Sequence, residues 1–171
     1  MVTQPTPIFI YGTLCALPWL SCLLTGDAAN VDAVSPLLRR ATAREFRRHS
    51  VWWRIGEIHG DAPAAVASED GMIDGYLLTL QTTSQRQKID DFEGEGESYK
   101  RAPVIVDVLR DDGSTEEQIQ ANIYVWNGDP KKISSDPWDL DTFINERLQN
   151  WLDLFAGAEF VGEDETPEAG K

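Results

Sequence analysis

The chain has 171 residues, enough for one domain whose core needs no metal or disulfide staple. Lys and Arg number 15 against 29 Asp and Glu, and the net charge of −14 disfavours nucleic acid and anionic membrane as partners, since both call for a positive surface. The two cysteines, Cys15 and Cys22, match neither a Cys-x-x-Cys redox pair nor a zinc-ligand pair, and with His49 and His59 as the histidines no metal site is expected.

The first residues carry neither a basic run nor a long apolar stretch, so no secretory leader and no spanning helix is expected. Two free thiols suit a reducing cytoplasm. Ile8, Phe9, Ile10 and Tyr11 read as a short buried strand that ends at Gly12. Leu17, Leu20, Leu23 and Leu24 then recur at helical spacing, with Gly26 placed to cap that helix. Residues 26–35 read as a loop. Residues 37–46 fit a strand or a short helix, and they hold most of a basic cluster: Arg39, Arg40, Arg44, Arg47 and Arg48. A solvated face that balances nearby acids is the plainer reading of that cluster; an anion site is the sharper one.

Val51, Trp52 and Trp53 look like strand, residues 62–68 like another entered at Pro63, and Gly71 like a turn. Residues 72–80 read as a strand in which Gly75 marks a bulge or a close approach of backbone. Residues 84–92 are a helix candidate, with Ser84 and Gln87 spaced as a capping box and Gly94 as its stop. Residues 94–98 are an acidic loop. Val104, Val106 and Val108 alternate, Asp111-Asp112-Gly113 supplies a turn, and Ile119, Ala121, Ile123 and Val125 alternate back, which is a hairpin. Asp136-Pro137 reads as the start of a last helix, striped by Leu140, Phe143, Ile144, Leu148, Trp151, Leu152 and Phe155 and expected to pack on the sheet. Residues 7–156 are therefore expected to form one domain, and residues 157–171 an acidic tail, disordered over 162–171. The order of elements lacks regular strand–helix alternation. It fits an α+β fold with a mixed, mostly antiparallel, β-barrel-like sheet flanked by helices.

Two segments can carry chemistry. At Tyr11-Gly12-Thr13-Leu14 a buried strand stops at a glycine, and the N–H groups beyond it need partners; turned into a cleft they would bind an anion or a developing oxyanion. Gly12 would let a ligand approach without a Cβ in the way. At Asp90-Asp91-Phe92-Glu93 three carboxylates sit at a helix end, where the dipole disfavours negative charge. A carboxyl group held beside Phe92 in a dry pocket would have its pKa raised and would serve as a general base near neutral pH. Alone, each segment has a bland alternative: an ordinary strand-to-loop turn and a solvated acidic helix end.

Together they resemble the γ-glutamylcyclotransferase-like family, in its γ-glutamylamine cyclotransferase and plant and fungal avirulence-induced-protein branch. Tyr11-Gly12-Thr13-Leu14 looks like the family's Y-G-[ST]-L loop. Pro63 to Val66 is similar to its Y-P-[AG] strand, without the tyrosine before Pro63. Ile73-Asp74-Gly75-Tyr76 resembles the strand that follows. Asp90-Asp91-Phe92-Glu93-Gly94 with Tyr99-Lys100-Arg101 resembles the L-D-x-x-E-G…Y-x-R block. The resemblance implies Glu93 as the catalytic carboxylate, with Asp90 structural. It implies a substrate pocket at Tyr11, Gly12, Thr13, Leu14 and Tyr99. It also implies a small-molecule γ-glutamyl substrate that releases 5-oxoproline, without cofactor or metal. The alternative on the same scaffold is a non-catalytic small-molecule-binding or interaction module.

Overall fold

The computed structural model describes residues 4–55, 58–93, 99–134 and 138–154. The sequence segments read above as the 94–98 loop, the Asp136-Pro137 helix start and the acidic tail lie outside these residues. Six strands form one mostly antiparallel sheet: β1 (Ile8–Ile10), β2 (Leu38–Ile55), β3 (Ile58–Leu78), β4 (Tyr99–Leu109), β5 (Thr115–Trp126) and β6 (Ile133–Ser134). Four helices accompany it: α1 (Leu17–Thr25), α2 (Thr83–Glu93), α3 (Leu140–Glu146) and α4 (Leu148–Leu154). Among the described residues no helix is long and apolar enough to cross a membrane.

The pairings return on themselves. Strand β2 pairs with β3 and β4, and β4 pairs with β5. Strand β1 lies between β5, to which it is parallel, and β3, to which it is antiparallel. This arrangement gives the sheet an inner face. Phe9, Tyr11, Ala41, Ala43, Ile73, Leu77, Val104, Val106, Val108, Ala121 and Ile123 fill it. The other face of β1, Ile8 and Ile10, packs under the helices with Trp19, Leu20, Leu78, Ile89 and Phe143. The period-2 alternation of a strand thus feeds two cores at once. The hairpin legible in the sequence is present, and Gly113 at φ +87 supplies the left-handed residue of its turn. Gly26, at φ +82, caps α1 through its N–H to the Cys22 carbonyl.

Four expectations need correction. Residues 62–68 and 72–80 are not two strands with Gly71 as a turn; they belong to one strand, β3. Gly71 lies inside it, where a Cβ would stand 2.3 Å from the Phe46 carbonyl oxygen. The capping box of α2 uses Thr82 and Gln85 rather than Ser84 and Gln87. Thr82 Oγ1 accepts from the Gln85 N–H at 3.1 Å, and Gln85 Oε1 accepts from the Thr82 N–H at 3.3 Å. The same hydroxyl-x-x-Gln spacing occurs twice, two residues apart, and the earlier copy is the one that closes. The last helix is two helices interrupted at Arg147, and α3 is capped by Asp139, whose carboxylate accepts from the Thr142 N–H at 2.8 Å. Its apolar stripe joins α1 rather than lying on the sheet alone: Trp151 meets Trp19 and Phe143 edge-on, with centroids 5.6 and 5.3 Å apart.

Candidate active site

Strand β1 delivers Tyr11 to the edge of the inner core. Its ring is buried, and its hydroxyl is fully committed. It donates to the Tyr124 carbonyl at 2.6 Å and accepts from the Ala65 N–H at 3.0 Å, pinning the end of β1 to β5 and β3. Tyr11 is therefore a structural anchor, and its hydroxyl is not available to orient a substrate. Tyr11→Phe should cost about 1–3 kcal/mol, because it leaves the buried Ala65 N–H without an acceptor. Urea unfolding and hydrogen exchange at Ala65 check this.

The chain then turns at Gly12 into a 3-10 turn, Thr13–Cys15, closed by Cys15 N–H to Gly12 O at 2.9 Å and Ala16 N–H to Thr13 O at 3.0 Å. The N–H groups of Thr13 and Leu14 meet no acceptor among the described residues, and that of Gly12 is turned toward the Cys15 sulfur. Two adjacent N–H donors thus lack a partner among the described residues. The reason for the glycine differs from the expected one: a Cβ at Gly12 would stand 2.1 Å from Cγ of Pro63, so the space before it holds the proline ring, not a ligand. Leu14 sends its side chain into the core under the helices. Burial, against the opposing pull of Arg48 and the Gly12 N–H, pushes the Cys15 thiol up to about 12, so it is a neutral thiol at neutral pH and no nucleophile.

Glu93 is the last residue of α2, half-buried. Burial first and the neighbouring Asp90 charge second push its carboxyl up to about 8. Its charge bears on three tyrosines. Tyr99, at the start of β4, has its pKa raised by burial and then by Glu93. Tyr11 is raised by burial, by Tyr99 and by Glu93. Tyr124 is raised by burial, by its hydrogen bond to Asp90 and, more weakly, by Glu93. The Tyr99 hydroxyl donates to the Pro63 carbonyl at 2.7 Å, and its ring meets Trp126 edge-on, so its polar end too is taken by backbone. Glu93 is the carboxylate of the last α2 turn that these tyrosines surround.

Asp90 sits one turn earlier on α2. It accepts from the Tyr124 hydroxyl and, at 3.3 Å, from Arg86 Nε, with Arg101 Nη1 at 3.8 Å. Arg86 in turn reaches the Thr6 carbonyl at 2.8 Å. This network compensates the negative charge at a helix C-terminus. It also holds the Asp90 carboxylate close enough to raise Glu93. Tyr124 was not singled out in the sequence. The signal was present: a tyrosine between Ile123 and Val125, out of phase with the alternating face, means that β5 is buried on both sides. Among the described residues no cluster of His, Cys, Asp or Glu could hold a metal ion.

A carboxyl that is harder to ionise folded than unfolded ties stability to pH. The folded state holds its proton more tightly, so Glu93 lowers stability as pH rises from about 4.5 to about 8. With allowance for its partial exposure, the loss is about 2 kcal/mol. Glu93→Gln should remove that slope and leave the variant more stable than the parent above pH 8, as thermal midpoints across pH 5–9 would show.

Residues 8–140, which take in both the Tyr11 loop and Glu93, match the family model described as gamma-glutamyl cyclotransferase, AIG2-like. The chain belongs to this family. A relative from Arabidopsis thaliana, Protein AIG2 B, is 30% identical over 118 residues; the match spans 68% of this chain and 64% of that protein's length. The AIG2-like fold is also found in solved structures. An Arabidopsis thaliana protein solved in solution has a TM-score of 0.53 at 22% identity, over 88% of this chain and 87% of that one. A mouse AIG2-like protein has a TM-score of 0.51 at 18% identity, over 81% and 90%. A protein named gamma-glutamyl cyclotransferase has a TM-score of 0.50 at 16% identity, over 97% and 94%. At these identities the likeness is one of fold. The α+β architecture expected from the order of elements is the AIG2-like architecture.

Proposed function

We propose that the chain is a γ-glutamyl cyclotransferase: an intramolecular acyl transfer that turns a γ-glutamyl compound into 5-oxoproline and a free amine or amino acid. The observation that carries the reading is Glu93, a carboxyl brought up to about 8 whose charge reaches Tyr11, the residue that leads into a turn with two N–H groups unpartnered among the described residues. Family membership supports it.

The chemistry follows from those groups. The substrate α-ammonium passes a proton to the Glu93 carboxylate, whose raised proton affinity brings it closer to that of the amine. The freed amine nitrogen attacks the γ-carbonyl carbon, and the carbonyl π pair moves onto oxygen. In this reading the N–H groups of Thr13 and Leu14 receive that oxyanion. The pair returns, the bond to the leaving nitrogen breaks, and Glu93 delivers its proton there. The ring nitrogen, left with one hydrogen too many, gives its second proton to the regenerated Glu93 carboxylate and through it to the departing amine, which leaves as an ammonium, and the five-membered ring leaves as 5-oxoproline. Tyr11, Tyr99 and Tyr124 act on this sequence indirectly. Their hydroxyls hold the walls, and their rings keep the carboxylate from full hydration. In this reading kcat/KM rises with pH through about 8, the arm belonging to Glu93. The test is release of 5-oxoproline from a panel of γ-glutamyl amino acids and γ-glutamyl amines. No release from any of them, by a folded chain, overturns the proposal. Cys15 and Cys22 as free thiols support a reducing compartment such as the cytoplasm.

A further inference from the structure

The five arginines read as one basic cluster separate in the fold. Arg39 is held by Glu116 and Glu117 at 3.2 and 2.9 Å, Arg44 by Asp107 at 3.0 Å, and Arg47 Nε by the Ser68 hydroxyl at 3.1 Å. Arg40 is exposed on β2. Arg48 alone turns to the candidate site. Its Nη1 donates to the Tyr11 carbonyl at 2.5 Å and lies 3.4 Å from the Asp74 carbonyl, while Nε and Nη2 carry no hydrogen bond among the described residues.

A local irregularity produces this orientation. Before it, Ala41 and Ala43 face the inner core. Glu45 then takes φ +71, and the β2–β3 register shifts between Arg44 and Phe46. One unpaired residue on β2 reverses the parity of everything after it. Phe46 now packs on the inner core, and Arg48 and Ser50 follow on that side. Arg48 pairs with Ala65, whose N–H meets the Tyr11 hydroxyl, and Ser50 pairs with Pro63, which packs on Gly12. Directly opposed residues share a face. Without the bulge Arg47 would point inward instead. The Arg48 charge is felt at both Tyr11 and Cys15, the two ends of the loop. Among the described residues Asp139, an acid that feels its charge, is occupied capping α3 through Thr142 and makes no ion pair with it.

We infer that Arg48 is the carboxylate anchor of the substrate site and takes the α-carboxylate of the γ-glutamyl group with the two guanidinium nitrogens left free. The inference rests on the cyclotransferase reading. The α-carboxylate is the one anion that every γ-glutamyl compound carries, and it is bonded to the carbon that bears the attacking amine. An anchor on it therefore fixes where that amine lies relative to Glu93. A planar arginine fork suits a carboxylate better than a point charge would. In a chain of net charge −14, an anionic substrate needs a cation that no acid neutralises.

The full chain, with Arg48→Gln and Arg48→Lys, is titrated calorimetrically with 5-oxoproline and with 2-pyrrolidinone, the same ring without the carboxylate. The parent should prefer 5-oxoproline about ten- to a hundredfold. Arg48→Gln should bind both equally, retained pyrrolidinone binding showing that the site is intact. Arg48→Lys keeps a donor for the Tyr11 carbonyl, and with it the fold, but should lose about tenfold of the preference. A full preference for 5-oxoproline in either variant overturns the assignment. The second arm compares KM for γ-glutamylalanine and γ-glutamylethylamide, which lacks a carboxylate on its leaving group. An equal rise in Arg48→Gln supports the α-carboxylate; a rise confined to γ-glutamylalanine moves Arg48 to the leaving group and overturns it. Parent enzyme that turns over both substrates while Arg48 proves silent leaves the function standing and this inference refuted. Parent that neither binds nor turns over either removes both.

Discussion

Glu93→Gln lowers kcat about a thousandfold, within the usual 10²–10⁴ range of a lost general acid–base, while the fold persists and 5-oxoproline still binds. The glutamine is nearly isosteric and cannot accept the ammonium proton or return one to the leaving nitrogen. Both proton transfers fail at once, which is why the effect is large. The fold persists because, among the described residues, no hydrogen bond or ion pair depends on this carboxylate; Asp90, one turn back, carries the connection to Tyr124, Arg86 and Arg101. Steady-state release of 5-oxoproline by parent and variant, with circular dichroism as the control for folding, decides the matter. Parent-like turnover in Glu93→Gln would sink the assignment of the base. Asp90→Asn sharpens the test: with the neighbouring charge removed, the Glu93 carboxyl falls from about 8, and the rising arm of kcat/KM moves to lower pH.

The second large effect is structural. At Gly75→Ala the new methyl would stand 2.2 Å from the Ile10 carbonyl oxygen and 2.8 Å from Cζ of Phe9. Both belong to β1, a strand of three residues that leads directly into Tyr11. Neither the backbone oxygen nor the ring in the inner core can yield without moving β1 off β3. A loss of about 3 kcal/mol is expected, at the upper end for overpacking, or about 6–12 °C in thermal midpoint for a chain of this length. Met72→Ala, on the same strand but 61% exposed, is the control and should stay within about 0.5 kcal/mol of the parent. A Gly75→Ala variant as stable as that control would show that β1 does not sit as close to β3 as described. Turnover should fall with stability, since displacing Ile10 displaces the loop that follows it.

Gly75 also shows how much a sequence can disclose. A glycine inside an otherwise strand-like run signals close backbone approach, and that is what it does. The same reasoning failed at Gly71, taken for a turn, because it too marks close approach, here to the Phe46 carbonyl across the β2–β3 irregularity. Local pattern tells that a side chain is excluded, not what excludes it. Gly12 repeats the lesson: its neighbour is Pro63, fifty-one residues away in sequence and adjacent only because β3 passes behind β1.

Several features were set by the chain alone. The alternation of Val104, Val106 and Val108 against Ala121 and Ile123, with a glycine turn between, specifies a hairpin whatever surrounds it, because period-2 patterning and a left-handed turn residue are local requirements. Leucine spacing and Gly26 do the same for α1. Glu93 was legible as a carboxyl at a helix end beside an aromatic residue. The tertiary structure decided what no local pattern can hold. It turned the hydroxyls of Tyr11 and Tyr99, both expected in the substrate pocket, into ties to backbone carbonyls. It brought Tyr99 on β4, Tyr124 on β5 and Tyr11, just past β1, within range of the Glu93 charge and placed Asp90 to raise it. It also sorted one basic cluster into surface pairs and a single inward arginine, through one residue of bulge at Glu45. The tie at Tyr11 and the carboxylate at Glu93 are 82 positions apart. Their meeting depends on sheet closure, an outcome of strand order and register that is distributed over the chain and readable only once it has folded.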